Sequence, residues 1–208
     1  MVKWMLSLLF VGLFSIPSQS QKVIGDCTVV YAISITGMQN PNNGLKNAVK
    51  TFYIKGLQTR VDIASPAFNQ SIIYDGNTGT AVILKEVGAD KYISTYDAAK
   101  WKEANKKYED ISLSFTDQTK TILGFKCKNA VARLKNGTSF SIFYATDIIP
   151  SLSENPFQFK NIPGFVLEYE AQQGTDNKQK IIYTATRINF SPVPFAKFEI
   201  PKSGYRRL

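Results

Sequence analysis

Short runs in which apolar and polar residues alternate follow one another along most of the chain, with turn-forming residues between them. A period of two is typical of β-strands, because successive side chains of a strand point to opposite faces. The links are mostly of hairpin length, as at Asn136-Gly137, which favours antiparallel pairing. The pattern predicts strands at residues 27–35, 49–55, 59–64, 70–74, 80–87, 91–96, 111–116, 125–134, 138–145, 165–171 and 180–190, with a short edge at 196–200.

One segment has helical spacing instead. Residues 98–108 place Trp101 and Tyr108 on one side and lysines on the other. Asp97, directly before them, is a good N-cap residue. The sequence therefore predicts one surface helix whose Trp101 contacts the core, with a lid or partner-binding helix as the alternative.

Several predicted strands are apolar on both faces, at 72–74, 81–84 and 181–183. A sheet of this kind must be covered on both sides or must curl around itself. A helix of about twelve residues is only about 18 Å long and cannot cover such a sheet. We therefore predict a mainly β (α+β) fold, an incomplete antiparallel β-barrel of about 10–12 strands with one short covering helix. A long, exposed connection or flap is expected at 148–163.

The first twenty residues have the pattern of a secretory signal. Lys3 precedes an apolar run at 4–14, and Pro17 and the small residues Ser18 and Ser20 follow. The apolar run is about eleven residues, whereas a membrane-spanning helix needs about 20. We expect cleavage near Ser20, which leaves residues 21–208 as a single periplasmic domain.

The composition excludes several classes of function. The chain has 208 residues and no histidine, so it cannot supply a Ser-His-Asp triad, a Cys-His dyad or a His-ligated zinc. The common nucleophile and nucleotide motifs are also missing from the sequence. We therefore expect no enzymatic activity, no cofactor and no metal site.

The chain is basic, with a formal net charge of +9. Lysines on the predicted helix and Arg206-Arg207 near the end contribute to this charge. Because an exported chain seldom meets nucleic acid, an anionic membrane surface or an acidic glycan is the more sensible partner. We expect a monomer that does not bind nucleic acid.

Two cysteines occur in the sequence, Cys27 and Cys127. In an oxidising compartment an isolated pair most often forms a disulfide, and a loop of about 100 residues would add roughly 4–5 kcal/mol to the free energy of unfolding. A reactive thiol is the alternative, although there is no Cys-x-x-Cys spacing and no histidine to activate it. We expect the disulfide.

The chain also resembles a known family. The segments FYIKGLQTRVDI at 52–63 and SIIYDGNT at 71–78 look like the LolA/LolB-type periplasmic lipoprotein-carrier superfamily. The second half is similar to its GLPGLI-like uncharacterised envelope relatives, through residues 122–130, 143–147, 162–168 and 198–201. The resemblance implies an incomplete barrel with an apolar cavity for acyl chains, and it implies that Arg60 holds the lid. From the residues alone, an Arg60 that faces outward on a solvated strand is the alternative.

The leading hypothesis is therefore an exported protein that binds a lipid, an acyl chain or another apolar ligand inside the barrel. The alternative is an envelope adapter or structural protein with a filled barrel and a basic binding surface. The ligand-binding residues predicted from the strand pattern and the resemblance are Phe52, Ile54, Arg60, Val61, Ile63, Ile73, Ile83, Trp101, Phe140, Ile142, Leu167 and Ile182.

Overall fold

The computed structural model describes residues 21–36, 44–45, 47–173 and 179–208, so the expected signal at 1–20 lies outside the described residues. Most of the described chain is β-structure. The strands are β1 (Lys22–Ile24), β2 (Asp26–Thr36), β3 (Val49–Lys55), β4 (Gln58–Ala64), β5 (Asn69–Asp75), β6 (Thr80–Val87), β7 (Asp90–Tyr96), β8 (Ser112–Ile122), β9 (Phe125–Arg133), β10 (Ser139–Ala145), β11 (Ile148–Pro150), β12 (Phe165–Gln173), β13 (Gln179–Asn189) and β14 (Arg206–Arg207). The helices are α1 (Ala98–Ala104) and two short 3-10 helices, Lys106–Tyr108 and Phe195–Phe198.

Twelve of the described strands form one sheet, in the order β14-β7-β6-β5-β4-β3-β2-β13-β12-β10-β9-β8. Neighbouring strands are antiparallel except β14, which pairs with β7 in parallel. The edges are β14 and β8, and β8 carries a register shift between Thr116 and Thr119. The sheet is not closed, and the predicted incomplete barrel is confirmed. β1 and β11 form a separate parallel pair.

Contacts across the concave side show how strongly the sheet curls. Two strands, β2 and β13, lie between β3 and β12, so a flat sheet would separate β3 from β12 by about 14 Å. Yet the rings of Phe52 and Phe165 on these strands have centroids only 6.5 Å apart. The hydroxyl of Tyr31 on β2 also donates to the Val166 carbonyl on β12, at 2.9 Å. The sheet therefore wraps around a core, and strands that are not neighbours in the sheet contact each other across this core.

This concave core is filled by large side chains. Its apolar residues come from β2, β3 and β4 on one side and from β9, β10, β12 and β13 on the other. The largest fully buried side chains include Tyr31, Phe52, Ile54, Ile142, Phe165 and Leu167. Large side chains therefore fill most of the space on the concave side of β2, β13, β12 and β10.

The helix α1 crosses the concave side beside β6 and β7. The predicted N-cap is present, because the Asp97 carboxylate accepts from the Lys100 backbone N–H at 2.8 Å. The helix is shorter than predicted and ends at Ala104, with Asn105 as its C-cap, and the chain continues as a 3-10 turn at 106–108. In the described part of the chain no helix is long and apolar enough to cross a membrane.

The convex side has a cover of its own that the sequence did not predict. Val193 and Phe198, near the C-terminus, pack against Ile73, Val82, Leu84 and Ile93 of β5, β6 and β7. The outward residues of these strands are apolar because the C-terminal segment shields them from water. Curling and this second cover together account for strands that are apolar on both faces.

The connection at 148–163 begins as β11 and then folds over the open side of the curled sheet. It is less exposed than predicted, because Gln158 and Phe159 are buried. It returns to the sheet at Gly164, where a Cβ atom would collide with the Ala145 carbonyl oxygen. Only glycine allows the two backbones to approach this closely.

The expected disulfide is not formed in the structure. Cys27 and Cys127 are both free and fully buried, on β2 and β9 respectively. Burial, with a smaller contribution from Asp26, raises the pKa of the Cys27 thiol to about 12, and burial raises the pKa of Cys127 to about 11. Since the thiolate is the reactive form, both residues behave as buried core side chains.

Candidate ligand cleft

An open cleft of about 360 Å³ lies between the concave face of β4–β7 and the roof formed by α1 and the following 3-10 turn. The sheet wall consists mainly of Val61, Ile63, Ile72, Tyr74, Ile83 and Tyr96. The roof contributes Trp101, Ala104 and Tyr108, and one end is bounded by residues 154–156 of the 148–163 connection. A volume in this range is typical of small-ligand pockets, which hold about 300–1,000 Å³.

Trp101 is held in the cleft by aromatic contacts. Its ring lies edge-on to Tyr96 at a centroid distance of 5.4 Å and tilted against Tyr74 at 6.4 Å. Its indole Nε1 is buried and has no hydrogen-bond partner among the described residues. A buried donor without a partner is costly, so this N–H lowers the stability of the fold.

Lys50 on β3 also lines the cleft and is buried, with 3% of its surface exposed. Its Nζ donates to Glu154 of the 148–163 connection and to the Tyr169 hydroxyl. The ammonium also lies 4.5 Å from the ring centroid of Tyr183, 4.7 Å from that of Tyr169 and 5.4 Å from that of Tyr31. A carboxylate and three aromatic faces thus replace the water that this charge has lost.

The pKa values in this cluster follow from burial. Burial lowers the pKa of Lys50, and the neighbouring Glu154 carboxylate opposes that change. Burial also raises the pKa of Tyr169 and Tyr31 well above the ordinary value and that of Tyr183 to about 12, with Glu154 acting in the same direction. The three phenols stay neutral at pH 7, so the fixed charges here are those of Lys50 and Glu154.

Only one carboxylate oxygen of Glu154 is engaged. Oε1 accepts from Lys50 and from the Tyr169 hydroxyl, at 2.9 Å for the hydroxyl. Oε2 is buried and has no partner among the described residues. Two buried polar atoms of residues that border the cleft therefore lack a partner among the described residues, Glu154 Oε2 and Trp101 Nε1.

No family model and no curated protein match this sequence. Among solved structures, the chain is similar to one described as PNGF-II in space group C2, with a TM-score of 0.52 and 14% identity over 88% of this chain. It spans only 30% of that protein. An uncharacterized conserved protein from Thermus thermophilus gives a TM-score of 0.51 at 7% identity, covering 89% of this chain and 91% of that one. The likeness is one of fold.

A LolA superfamily protein, NE2245 from Nitrosomonas europaea, is also similar, with a TM-score of 0.38 and 11% identity over 85% of this chain and 91% of that chain.

The residues predicted to bind a ligand fall into three groups. The first lies in the packed part of the concave core. Its members are Phe52, Ile54, Phe140, Ile142 and Leu167. These side chains face inward as expected, but four of them line no described cavity, and Phe52 borders a second cavity of about 330 Å³ under the 148–163 connection.

The second group lines the cleft. Val61, Ile63, Ile83 and Trp101 all border it. Val61 and Ile63 belong to β4 and Ile83 to β6, so the alternation in these two strands gave the correct inward face.

The third group lies on the opposite face of the sheet, which corrects the prediction. Ile73 packs under Phe198 on the convex side. Ile182 lies between Ile181 and Tyr183, which both belong to the concave core, so Ile182 points outward. In strands that are apolar on both faces the pattern does not determine which face is inside.

Arg60 belongs to this third group. Its neighbours Thr59 and Val61 line the cleft, and Arg60 points away from it. Its guanidinium donates to Asp62 at 2.7 Å, to the Lys197 carbonyl at 2.7 Å and to Ser71 at 2.9 Å. Arg60 therefore fastens the C-terminal segment to the convex face and makes no contact with α1.

The sequence reasoning missed Lys50, Glu154 and the tyrosines around them. A signal for Lys50 was present, because Lys50, Phe52 and Ile54 alternate and therefore share the inward face of β3. No local signal marks Glu154, because the 148–163 connection has no periodicity and its position depends on the rest of the fold.

The sequence predicts a basic face on the helix at 98–108, and three of the lysines in this segment have acidic neighbours in the structure. Lys106 pairs with Glu103 at 3.1 Å, Lys100 with Asp97 at 3.9 Å, and Lys102 with Glu109 at 3.9 Å. These exposed pairs reduce the positive charge that the helix presents to a partner.

Proposed function

We propose that this protein is an exported, non-enzymatic binding protein that holds a lipid or another apolar ligand in the cleft between β4–β7 and α1. The observation that carries the proposal is the open, mainly apolar cleft beside an otherwise packed core. The sequence motifs at 52–63 and 71–78, together with the open curled sheet, support a relationship to the LolA/LolB-type carriers.

The binding energy in this proposal comes from burial of hydrocarbon. Each methylene group removed from water contributes about 0.8 kcal/mol, so an eight-carbon chain contributes about 6 kcal/mol before the entropic losses of binding. The interior around β9 and β10 is filled, and the second cavity, of about 330 Å³, is lined mainly by the 148–163 connection. The ligand therefore binds on the α1 side of the sheet.

A cleft-filling variant tests this proposal. Ile83→Trp on β6 places a large side chain in the cleft, and Val87→Trp at the 43% exposed end of the same strand is the matched control. The probe is N-phenyl-1-naphthylamine, an uncharged dye that fluoresces in apolar sites. We expect the wild type and Val87→Trp to bind the probe with the same affinity, and Ile83→Trp to bind it at least tenfold more weakly.

Native mass spectrometry of the purified wild-type protein provides a second readout, in which a co-purifying lipid supports the proposal. If the wild type neither binds the probe nor carries a lipid, the proposal is wrong, and the adapter hypothesis with its filled barrel takes its place.

A further inference from the structure

We propose that this protein binds an anionic membrane surface through a patch of phenylalanine rings and basic side chains near the start of β2. The proposal goes beyond the cleft, which lies on the concave face of the sheet, and does not depend on it. The residues that define this Phe195 patch are Lys22, Lys55, Arg187, Phe190, Phe195 and Lys197.

Two exposed aromatic rings lie in the segment that follows β13. Phe195 is 73% exposed and Phe190 is 41% exposed. The segment passes the start of β2, because β13 pairs with β2 as far as Thr28 and the Val193 backbone N–H donates to Asp26 at 2.9 Å. Both rings are therefore held near the same end of the sheet.

Lysines accompany each of these rings. Lys55 Nζ lies 4.4 Å from the ring centroid of Phe195, and Lys22 Nζ lies 5.9 Å from that of Phe190. The Asp26 carboxylate is paired with Lys55 at 3.3 Å, so this pair is neutral as a whole. Lys22 is exposed at the surface and contributes a positive charge.

Two further cations of the patch lie on the convex face. Arg187 on β13 is exposed there, because its partner Val30 points outward between two residues of the concave core. Lys197 is also exposed, and its Nζ lies 4.9 Å from the ring centroid of Tyr53. Together with Lys22, these residues give the patch a net positive charge.

An anionic membrane fits this combination of side chains. Lysine and arginine are attracted to the negative surface potential of anionic lipids, and a phenylalanine ring enters the boundary between head groups and acyl chains. An acidic glycan would be bound by the cations, but phenylalanine has no polar atom for its hydroxyl groups. The exposed rings therefore favour the membrane over the glycan.

A vesicle flotation assay tests the proposal, with protein purified after export. Vesicles of equal parts phosphatidylglycerol and phosphatidylcholine are compared with vesicles of phosphatidylcholine alone. We expect binding to the anionic vesicles to be at least tenfold tighter. A rise in salt from about 0.1 M to about 1 M shortens the Debye length from about 10 Å to about 3 Å, and it should weaken this binding at least tenfold.

Two variants of the patch have matched controls. Phe195→Ser should weaken binding to the anionic vesicles several-fold, whereas Phe115→Ser, at a ring 57% exposed on β8, should leave it unchanged. Lys22→Gln should weaken binding about fivefold, the effect of one cation near an anionic membrane surface. Lys135→Gln removes the same charge from a side chain that is 85% exposed in the β9–β10 hairpin, and it should change binding less than the Lys22 variant does.

Three results would overturn the proposal. The first is an absence of binding to the anionic vesicles, and the second is an equal loss of binding in the patch variants and their controls. The third is binding to dextran sulfate that is tighter than binding to the vesicles and unchanged by Phe195→Ser, which would assign the patch to an acidic glycan. None of these results bears on the cleft, because the Ile83→Trp comparison measures binding on the concave face.

Discussion

The buried pair of Lys50 and Glu154 ties the 148–163 connection to β3, and Glu154→Gln is the sharpest test of its importance. The change keeps the shape of the side chain and removes its charge. Lys50 is 3% exposed, so its ammonium cannot reach water without movement of the strand or of the connection. Breaking a buried ion pair on one side typically costs about 3–5 kcal/mol, because the remaining charge is left uncompensated.

Urea unfolding measures this loss. With a denaturant dependence of about 2 kcal/mol per molar urea, a loss of about 4 kcal/mol lowers the midpoint by about 2 M. The matched control is Glu103→Gln on α1, whose carboxylate forms an exposed pair with Lys106 and should change the free energy of unfolding by less than about 0.5 kcal/mol. A Glu154→Gln variant within about 1 kcal/mol of the wild type would refute the reasoning.

A double variant separates the cost of the unpaired charge from the cost of lost packing. Replacing both residues at once, by Lys50→Met with Glu154→Met, removes both charges and keeps similar volume, so it should cost less than Glu154→Gln alone. If the double variant is less stable than Glu154→Gln alone, the cost lies in packing and hydrogen bonding of the two side chains rather than in an unpaired charge.

Three other predictions follow from the fold. Ellman's reagent should label neither Cys27 nor Cys127 in the native protein and both in urea. Burial raises the pKa values of these thiols to about 12 and about 11, so the unfolded chain loses the two protons at lower pH than the folded protein does, and the free energy of unfolding should fall from about pH 9 upward. A variant with both cysteines replaced by alanine should show a smaller fall over the same pH range. Gly164→Ala should destabilise the fold by about 1–3 kcal/mol or more in urea unfolding, whereas Gly25→Ala, with open space around its Cβ, should be nearly neutral; equal effects would contradict the close approach. Arg60→Met should accelerate proteolysis of the C-terminal segment without changing probe binding in the cleft, and reduced binding would show that Arg60 acts on the cleft after all.

The architecture could be read from local patterns, because period-two alternation and turn residues specify strands and hairpins directly. Asp97 likewise marked the start of α1 through its capping hydrogen bond. The orientation of Ile73 and Ile182 could not be read, since their strands are apolar on both faces and only the C-terminal segment and the curl of the sheet decide which face is inside. Local alternation shows that successive side chains lie on opposite faces of a strand, and tertiary contacts decide which of the two faces is buried.

The candidate site was predictable to a similar extent. Val61, Ile83 and Trp101 were found because they are apolar or aromatic residues at regular spacing. The polar end of the cleft was not found, because Lys50 and Glu154 are 104 residues apart and meet only after the sheet has curled and the 148–163 connection has crossed it. A long-range contact of this kind cannot be predicted from the local sequence pattern of either segment.

The two edges of the open sheet have a consequence for association between copies of the chain. An unpaired edge strand offers its backbone groups to any other strand, which is a route to aggregation. At one edge β14 pairs only two residues with β7, and the Leu208 backbone N–H then donates to the Ile93 carbonyl, so residues 206–208 occupy that edge. At the other edge the register shift in β8, with Asp117 and Lys120 beside it, interrupts the regular ladder that an incoming strand would need. An incompletely closed barrel can thus remain open without its edge strands pairing with those of another copy.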